Sequence, residues 1–309
     1  VIATDVLLVG FGAAAVRVAT PLLLAASGEL LAERGGVINL GVEGAMLSGA
    51  LAAALGGQAG GVWVGVAAAL LAGAFVGGCF AALAIGVGAN QIISGTAMTL
   101  ASVGLTGAIF RRSLGAGGVG ASVPTLRPLP VPGLADIPGL GPIFFQQPPL
   151  TYIAYVTIPL LWWILARTGA GLSLRAAGEG AVQATAMGVP VRRVRRVAVV
   201  TGSALAGLGG AALVLGQVGS FAERMTAGRG FVAIAIVVLG RWHPLGVLMA
   251  GLVFGAATAL QFVFQATGIG VPYQWLLMLP YLLALLALAG TVGGIQSPAE
   301  LGRDPDDRR

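Results

Sequence analysis

The chain has 309 residues, of which 57% are hydrophobic and 9% are charged. Soluble domains carry about 25% charged residues, so this balance excludes a soluble globular enzyme, a nucleic-acid-binding domain and a disordered tail. The net charge is +6, and all 17 basic residues are Arg; in an apolar chain this bears on which loops face the cytoplasm rather than on nucleic acid.

The 51 glycines follow no collagen period and, with abundant Ala, fit packed membrane helices whose backbones approach closely. Cys79 is the single cysteine, so no intrachain disulfide forms, and His243 is the single histidine. Too few such ligands are available for a metal site of the usual kind, and neither metal nor cofactor is expected.

A helix needs about 20 mainly apolar residues to cross a bilayer. Runs of that kind cover 5–27, 36–56, 61–87, 91–110, 150–166, 197–216, 247–265 and 275–291. The sequence therefore predicts one all-α, polytopic membrane domain over 1–309, with about eight transmembrane helices plus re-entrant or broken half-helices. The first run contains Arg17 and has no basic flank before it, so it reads as a span and not a signal peptide. Phe231–Gly240, bounded by Arg229 and Arg241, is too short to cross alone and is expected as a half-helix buried in the bundle.

Two loops contrast. Residues 111–149 hold eight of the sixteen prolines and seven glycines, predicting a structured or partly extended loop. Residues 167–196 carry Arg167, Arg175, Arg192, Arg193, Arg195 and Arg196 against one acid, Glu179. The positive-inside rule puts this second loop in the cytoplasm and the first outside; the tail, 297–309, is also expected in the cytoplasm. Counting nine crossings, with the short run included, puts the N-terminus outside.

Polar residues within the apolar runs are the candidates for function. Asn39 and Glu43 are four apart and would share a face on a helix. A carboxylate in a membrane helix usually faces protein or a wet cavity, so the pair reads either as pathway lining or as structural groups satisfying helix ends or an Arg. Asn90 is placed to cap the fourth span, with Gln91 and Ser94 three apart behind it; inward-facing pathway groups and plain interhelical hydrogen bonds are both open. Phe231 opens the short run beside Gly230 and is a candidate wall for a nucleobase or sugar face, against simple packing. The glycine-flanked starts at 35–41 and 228–233 are the faint repeat expected where a transport pathway lies between broken segments.

In the basic loop, Ala181–Met187 reads as a short helix stopped by Gly188, with Pro190 opening the basic stretch after it. The arginines suit a headgroup anchor. The small Ala/Gly helix suits a docking knob for a soluble partner.

The order of these blocks resembles the permease subunits of ATP-binding-cassette importers, in the branch with ribose-type and branched-chain amino acid permeases. GELLAERGGVINLGVEGAMLSGA (28–50) is most similar to the nucleoside and simple-sugar permeases of that branch. LRAAGEGAVQATAMGVPVRRVRRVAVVTGSALAGLGGA (174–211) is similar to their coupling loop and following helix, and GRGFVAIAIVVLGRWHPLGVLMAGLVFGAATALQ (228–261) to their late re-entrant block. The resemblance implies a non-catalytic subunit forming half of a pathway for a small polar solute in the bacterial plasma membrane. It implies as partners an ATPase docking under 174–191, a second permease of different sequence, and an extracellular solute-binding lipoprotein.

Glu179, Ala181, Ala184, Gly188 and Pro190 would form the coupling motif; Gly180-Ala181 stands where the family has Asn-Pro. The chain has no Lys, and so no ordinary P-loop. An ion-coupled secondary transporter is the alternative, which would need intramembrane carboxylates for coupling. A membrane enzyme would need a cluster of acid, base or nucleophile that the sequence does not offer.

Overall fold

A computed structural model describes residues 2–113, 122–267 and 297–303, with Trp275, Met278, Leu282 and Leu285 between them. Ten α-helices account for most of the described chain: α1 (Ile2–Arg34), α2 (Val42–Gly60), α3 (Val62–Ala81), α4 (Gln91–Ser113), α5 (Pro149–Arg167), α6 (Gly169–Glu179), α7 (Ala181–Ala186), α8 (Val191–Leu213), α9 (Arg229–Leu239) and α10 (Pro244–Thr267). π-Helical turns extend α3 through Ala82–Val87 and α8 through Val214–Val218.

Six helices among the described residues are long and apolar enough to cross a membrane: Leu7–Arg34, Val62–Val87, Gln91–Ser113, Pro149–Arg167, Val191–Val218 and Pro244–Phe264. The 19-residue α2 joins them as an Ala/Gly-rich helix that is mostly buried. The chain is therefore a polytopic, all-α membrane protein. The expected run 275–291 lies largely outside the described residues.

Three expected boundaries move. α1 runs seven residues past 27, because Glu29 and Glu33, each 1% exposed, sit on its inner side and find partners there. The run expected from 36 becomes helical only at Val42. Gly36, at φ +84°, turns the chain out of α1, and 37–39 belongs to no helix or strand. α8 starts at Val191, since the basic stretch is itself helical.

The core is set by small residues. Gly207 of α8 meets Gly49 of α2 and Gly73 of α3: a Cβ on Gly207 would lie 2.3 Å from Ala69 O, and one on Gly49 2.4 Å from Gly207 O. Glycine at these crossings lets three backbones touch, and van der Waals packing then holds helices that lipid cannot drive together.

Two ends are distinguishable. The proline-rich loop forms one end. Its strands β1 (Leu129–Pro130) and β2 (Gln146–Gln147) pair antiparallel, and Val123 N–H and Leu126 N–H donate to Gly219 O and Leu215 O at the far end of α8. Helices α6 and α7, the arginine-rich start of α8 and residues 297–303 form the other.

Candidate functional site

The first centre is a carboxylate on a broken helix. After α8 the chain turns back through 219–228 and resumes as the 11-residue α9. Glu43, at the start of α2, receives the exposed N–H groups of that new start. Its Oε1 accepts from Thr226 Oγ1 at 2.6 Å and Gly228 N–H at 2.9 Å, and its Oε2 accepts from Gly230 N–H at 2.6 Å. Helix starts leave orphan donors carrying partial positive charge, so an anion satisfies both. Gly230 is obligatory for closeness, because a Cβ there would lie 2.5 Å from Glu43 Cα.

The other end of α9 is held too. Trp242, at φ +51° in the turn to α10, donates its indole N–H to Glu33 Oε2 and accepts at its carbonyl from Arg34 Nε. The half-helix is thus fastened at both ends to α1 and α2.

The second centre is the 35–41 turn. Asn39, 2% exposed, precedes α2 instead of lying on it. Its backbone N–H donates to Glu29 Oε1, its Nδ2 donates to Ser203 Oγ on α8, and its Oδ1 accepts from Gly41 N–H. The expected helical face shared by Asn39 and Glu43 is therefore not formed. One side chain reaches α8 and the other reaches α9.

α4 closes over the same turn. Asn90 Oδ1 caps it by accepting from Ile92 and Ile93 N–H. Gln91 accepts from Ile38 N–H and donates to Arg303 O, and Ser94 is buried beside Gly95, whose Cβ position lies 2.8 Å from Leu40 Cβ. Gln91 thus faces the turn, and Ser94 is buried one helical turn further along α4.

The third centre is the basic end. α7 follows Gly180 and is stopped by a left-handed glycine, Gly188 at φ +84°. Gly188 N–H donates to Thr185 O and Val189 N–H donates to Ala184 O, the paired bonds of a Schellman stop. Ala181 and Ala184 are buried and pack with Ala177 and Val191 of the chain itself. Their smallness lets α7 lie flat on α6 and α8. The large apolar side chains facing outward are Val182 and Met187, 60% and 86% exposed, among the exposed Gln183, Thr185 and Ala186, with Glu179 and Pro190 exposed at either side. Arg195 fastens the base, donating from Nε to Gly35 O and from its guanidinium to Ala177 O, 3.7 Å from Glu300.

Residues 13–288 match the family described as branched-chain amino acid transport system, permease component. The chain belongs to this family. Among its relatives, the permease is 35% identical over 92% of its own length and 92% of the other's to the guanosine ABC transporter permease NupQ of Bacillus subtilis. It is 38% identical to the putative glucose ABC transporter permease TsgC13 of Haloferax volcanii, over 84% of this chain and 78% of that one. With the nucleoside ABC transporter permease NupC of Lactococcus lactis the identity is 32%, covering 90% and 91%. No solved structure matches. The permease is thus a non-catalytic transport component of an ATP-binding-cassette system.

Phe231 follows Gly230 at the clamped start of α9 and is 44% exposed. Within the permease it is the pathway candidate that leaves the protein interior with an aromatic face. Sequence reasoning missed Thr226, Ser203, Trp242 and Glu300 as partners. The glycine pair Gly228 and Gly230 signalled the broken segment, but nothing nearby in sequence pointed to Glu43.

Proposed function

We propose that the chain is one half of the membrane pathway of an importer for nucleosides, with simple sugars as the neighbouring substrate class. The relatives' substrates support the choice, guanosine and nucleosides for two and glucose for the third. Phe231 stands at the wall of the pathway, and Glu43 holds the half-helix that presents it. Asn39, Asn90, Gln91 and Ser94 shape that wall from behind.

The observation that carries the coupling half of this reading is α7. It is a rigidly stopped helix that presents Val182 and Met187 outward beside Glu179 and Pro190. An ATPase subunit docks on that face, which is cytoplasmic, while the loop 111–149 is extracytoplasmic. A second permease of different sequence completes the pathway, an extracellular lipoprotein delivers the solute, and the assembly resides in a bacterial plasma membrane.

Uptake of labelled guanosine, other nucleosides and simple sugars, in cells with and without this gene, tests the proposal. Loss of nucleoside uptake that resists an ionophore and stops on ATP depletion is expected. Uptake that collapses with the ion gradient while ATP is intact would indicate an ion-coupled secondary transporter instead.

A further inference from the structure

Residues 297–303 lie against three parts of the fold at once. Glu300 donates its backbone N–H to Gly178 O at 2.9 Å, at the corner where α6 gives way to α7. Gly178 is pressed on the end of α1 as well, since a Cβ there would lie 2.2 Å from Arg34 O. Leu301 packs on the main core, and the Cβ position of Gly302 lies 2.8 Å from Ile38 Cδ1 in the 35–41 turn. Arg303 O accepts from Gln91 Nε2 at the start of α4.

These ties continue to the half-helix. The Gln91 side chain that holds Arg303 O also accepts from Ile38 N–H at its Oε1. Beside Ile38, Asn39 O accepts from Val42 N–H, the first residue of α2. Glu43, next in α2, holds the start of α9. From Gly178 to Gly230 the connection is therefore a run of hydrogen bonds and short stretches of backbone, the kind of contiguous network that carries coupling between distant sites. α7 itself packs on α6 and α8. A cavity of about 300 Å3, lined by Ala181 and Thr185 together with Val37 and Gln91, lies between α7 and the start of α4.

Local backbone sets the shape of 297–303. Leu301 N–H donates to Pro298 O and Arg303 N–H donates to Glu300 O, closing two successive turns. Gly302 is the third residue of the second turn and has φ +71°. That position takes Gly or Asn and resists a β-branched side chain.

We propose that residues 297–303 are a strap that carries the position of the α6–α7 corner to the 35–41 turn and on to α9, with Glu300 and Gly302 as its positioning residues. The inference rests on the reading of α7 as the helix on which the ATPase docks. Docking itself does not need the strap, because Val182 and Met187 face outward from α7. The strap is needed for solute at Phe231 and the ATPase at α7 to sense each other.

The test uses the full chain assembled in proteoliposomes with its ATPase, partner permease and binding protein, supplied in turn with guanosine and glucose. Basal hydrolysis, solute-stimulated hydrolysis, uptake and retention of the ATPase are measured together. Gly302→Val breaks the second turn, and Glu300→Pro removes the N–H that reaches Gly178 O. Both should keep the ATPase bound and basally active, yet lose solute stimulation and uptake by about threefold or more. Gly302→Asn, which suits the turn, and Glu300→Gln, which keeps the N–H, should be stimulated nearly as the wild type is.

If one breaking variant fails to assemble, the other decides. Loss of the ATPase by both would make the segment merely structural and overturn the proposal. It is equally overturned if an assembled breaking variant is stimulated as the wild type is, or if Gly302→Asn and Glu300→Gln lose as much as their partners. A wild-type assembly without ATPase, or stimulated by neither solute, would instead overturn the reading of α7 on which the strap rests.

Discussion

Gly230 donates its backbone N–H to Glu43 Oε2 at 2.6 Å across 187 residues of sequence. The bond joins the start of α2 to the start of the half-helix α9, and the other carboxylate oxygen takes Thr226 and Gly228. A helix that begins inside the membrane region needs its orphan donors satisfied by protein, and Glu43 supplies three acceptor contacts from one side chain.

Glu43→Gln should therefore act on structure as well as on transport. An amide retains one acceptor oxygen and turns an NH2 toward a donor, leaving a buried donor unpaired at about 1–3 kcal/mol. The midpoint of thermal unfolding should fall by several degrees and solute uptake should drop, with Glu43→Ala worse on both. An unchanged midpoint for Glu43→Gln would mean the carboxylate is not holding α9.

Gly207 should not tolerate even alanine. Its Cβ would stand 2.3 Å from Ala69 O and 3.0 Å from Gly73 Cα, both backbone atoms that cannot yield locally. Overpacking of this kind costs about 1–3 kcal/mol. Gly104, with nothing within 4 Å of its Cβ position, is the control. Yield and unfolding midpoint should fall for Gly207→Ala and stay within error for Gly104→Ala.

Gly188 is constrained by conformation alone. Its φ is +84° and its Cβ position meets nothing within 4 Å. A β-branched residue resists that region by about 1–2 kcal/mol, while Asn visits it readily. Gly188→Val should therefore fray the stop of α7 and reduce co-purification of the ATPase, and Gly188→Asn should restore most of it. Ala184→Trp should have the larger effect, because Ala184 is buried against α8's first residue, Val191. Equal retention of the ATPase by all three variants would remove α7 from the interface.

Arg195 and Glu300 should differ sharply, although they face each other. Arg195 also donates to Gly35 O and Ala177 O, so Arg195→Ala strands two carbonyls and loosens the base of α8, lowering the unfolding midpoint by several degrees. Glu300→Gln removes charge at 3.7 Å but keeps a polar side chain and the backbone bond from Glu300 N–H to Gly178 O, so a smaller fall than that of Arg195→Ala is expected. A double-mutant cycle on unfolding measures the pair directly.

Fold class was legible because it depends on composition summed over many residues. The apolar runs among the described residues, the half-helix at 231–240 and the glycine ending α7 all rest on local patterns that tertiary packing did not override. What sequence could not supply was orientation and long-range pairing. Ala181 and Ala184 are small for either of two reasons, contact with a partner or contact with the chain itself, and spacing alone does not separate them; the burial of both against Ala177 and Val191 does. Glu29 and Glu33 read as a polar break between spans, yet they lie within α1 because Asn39 N–H and the Trp242 indole approach from segments that sequence keeps apart. The role of Glu43 was hidden for the same reason.

In the proposed assembly, Val182 and Met187 on α7 couple this permease to an ATPase. Reconstituted in proteoliposomes with its ATPase, partner permease and binding protein, the system should show solute-stimulated ATP hydrolysis and ATP-driven uptake. Val182→Glu with Met187→Glu should abolish both while the spans insert normally and the unfolding midpoint stays near the wild type, since both side chains are exposed. Undiminished ATP hydrolysis and uptake by that double variant would contradict the account.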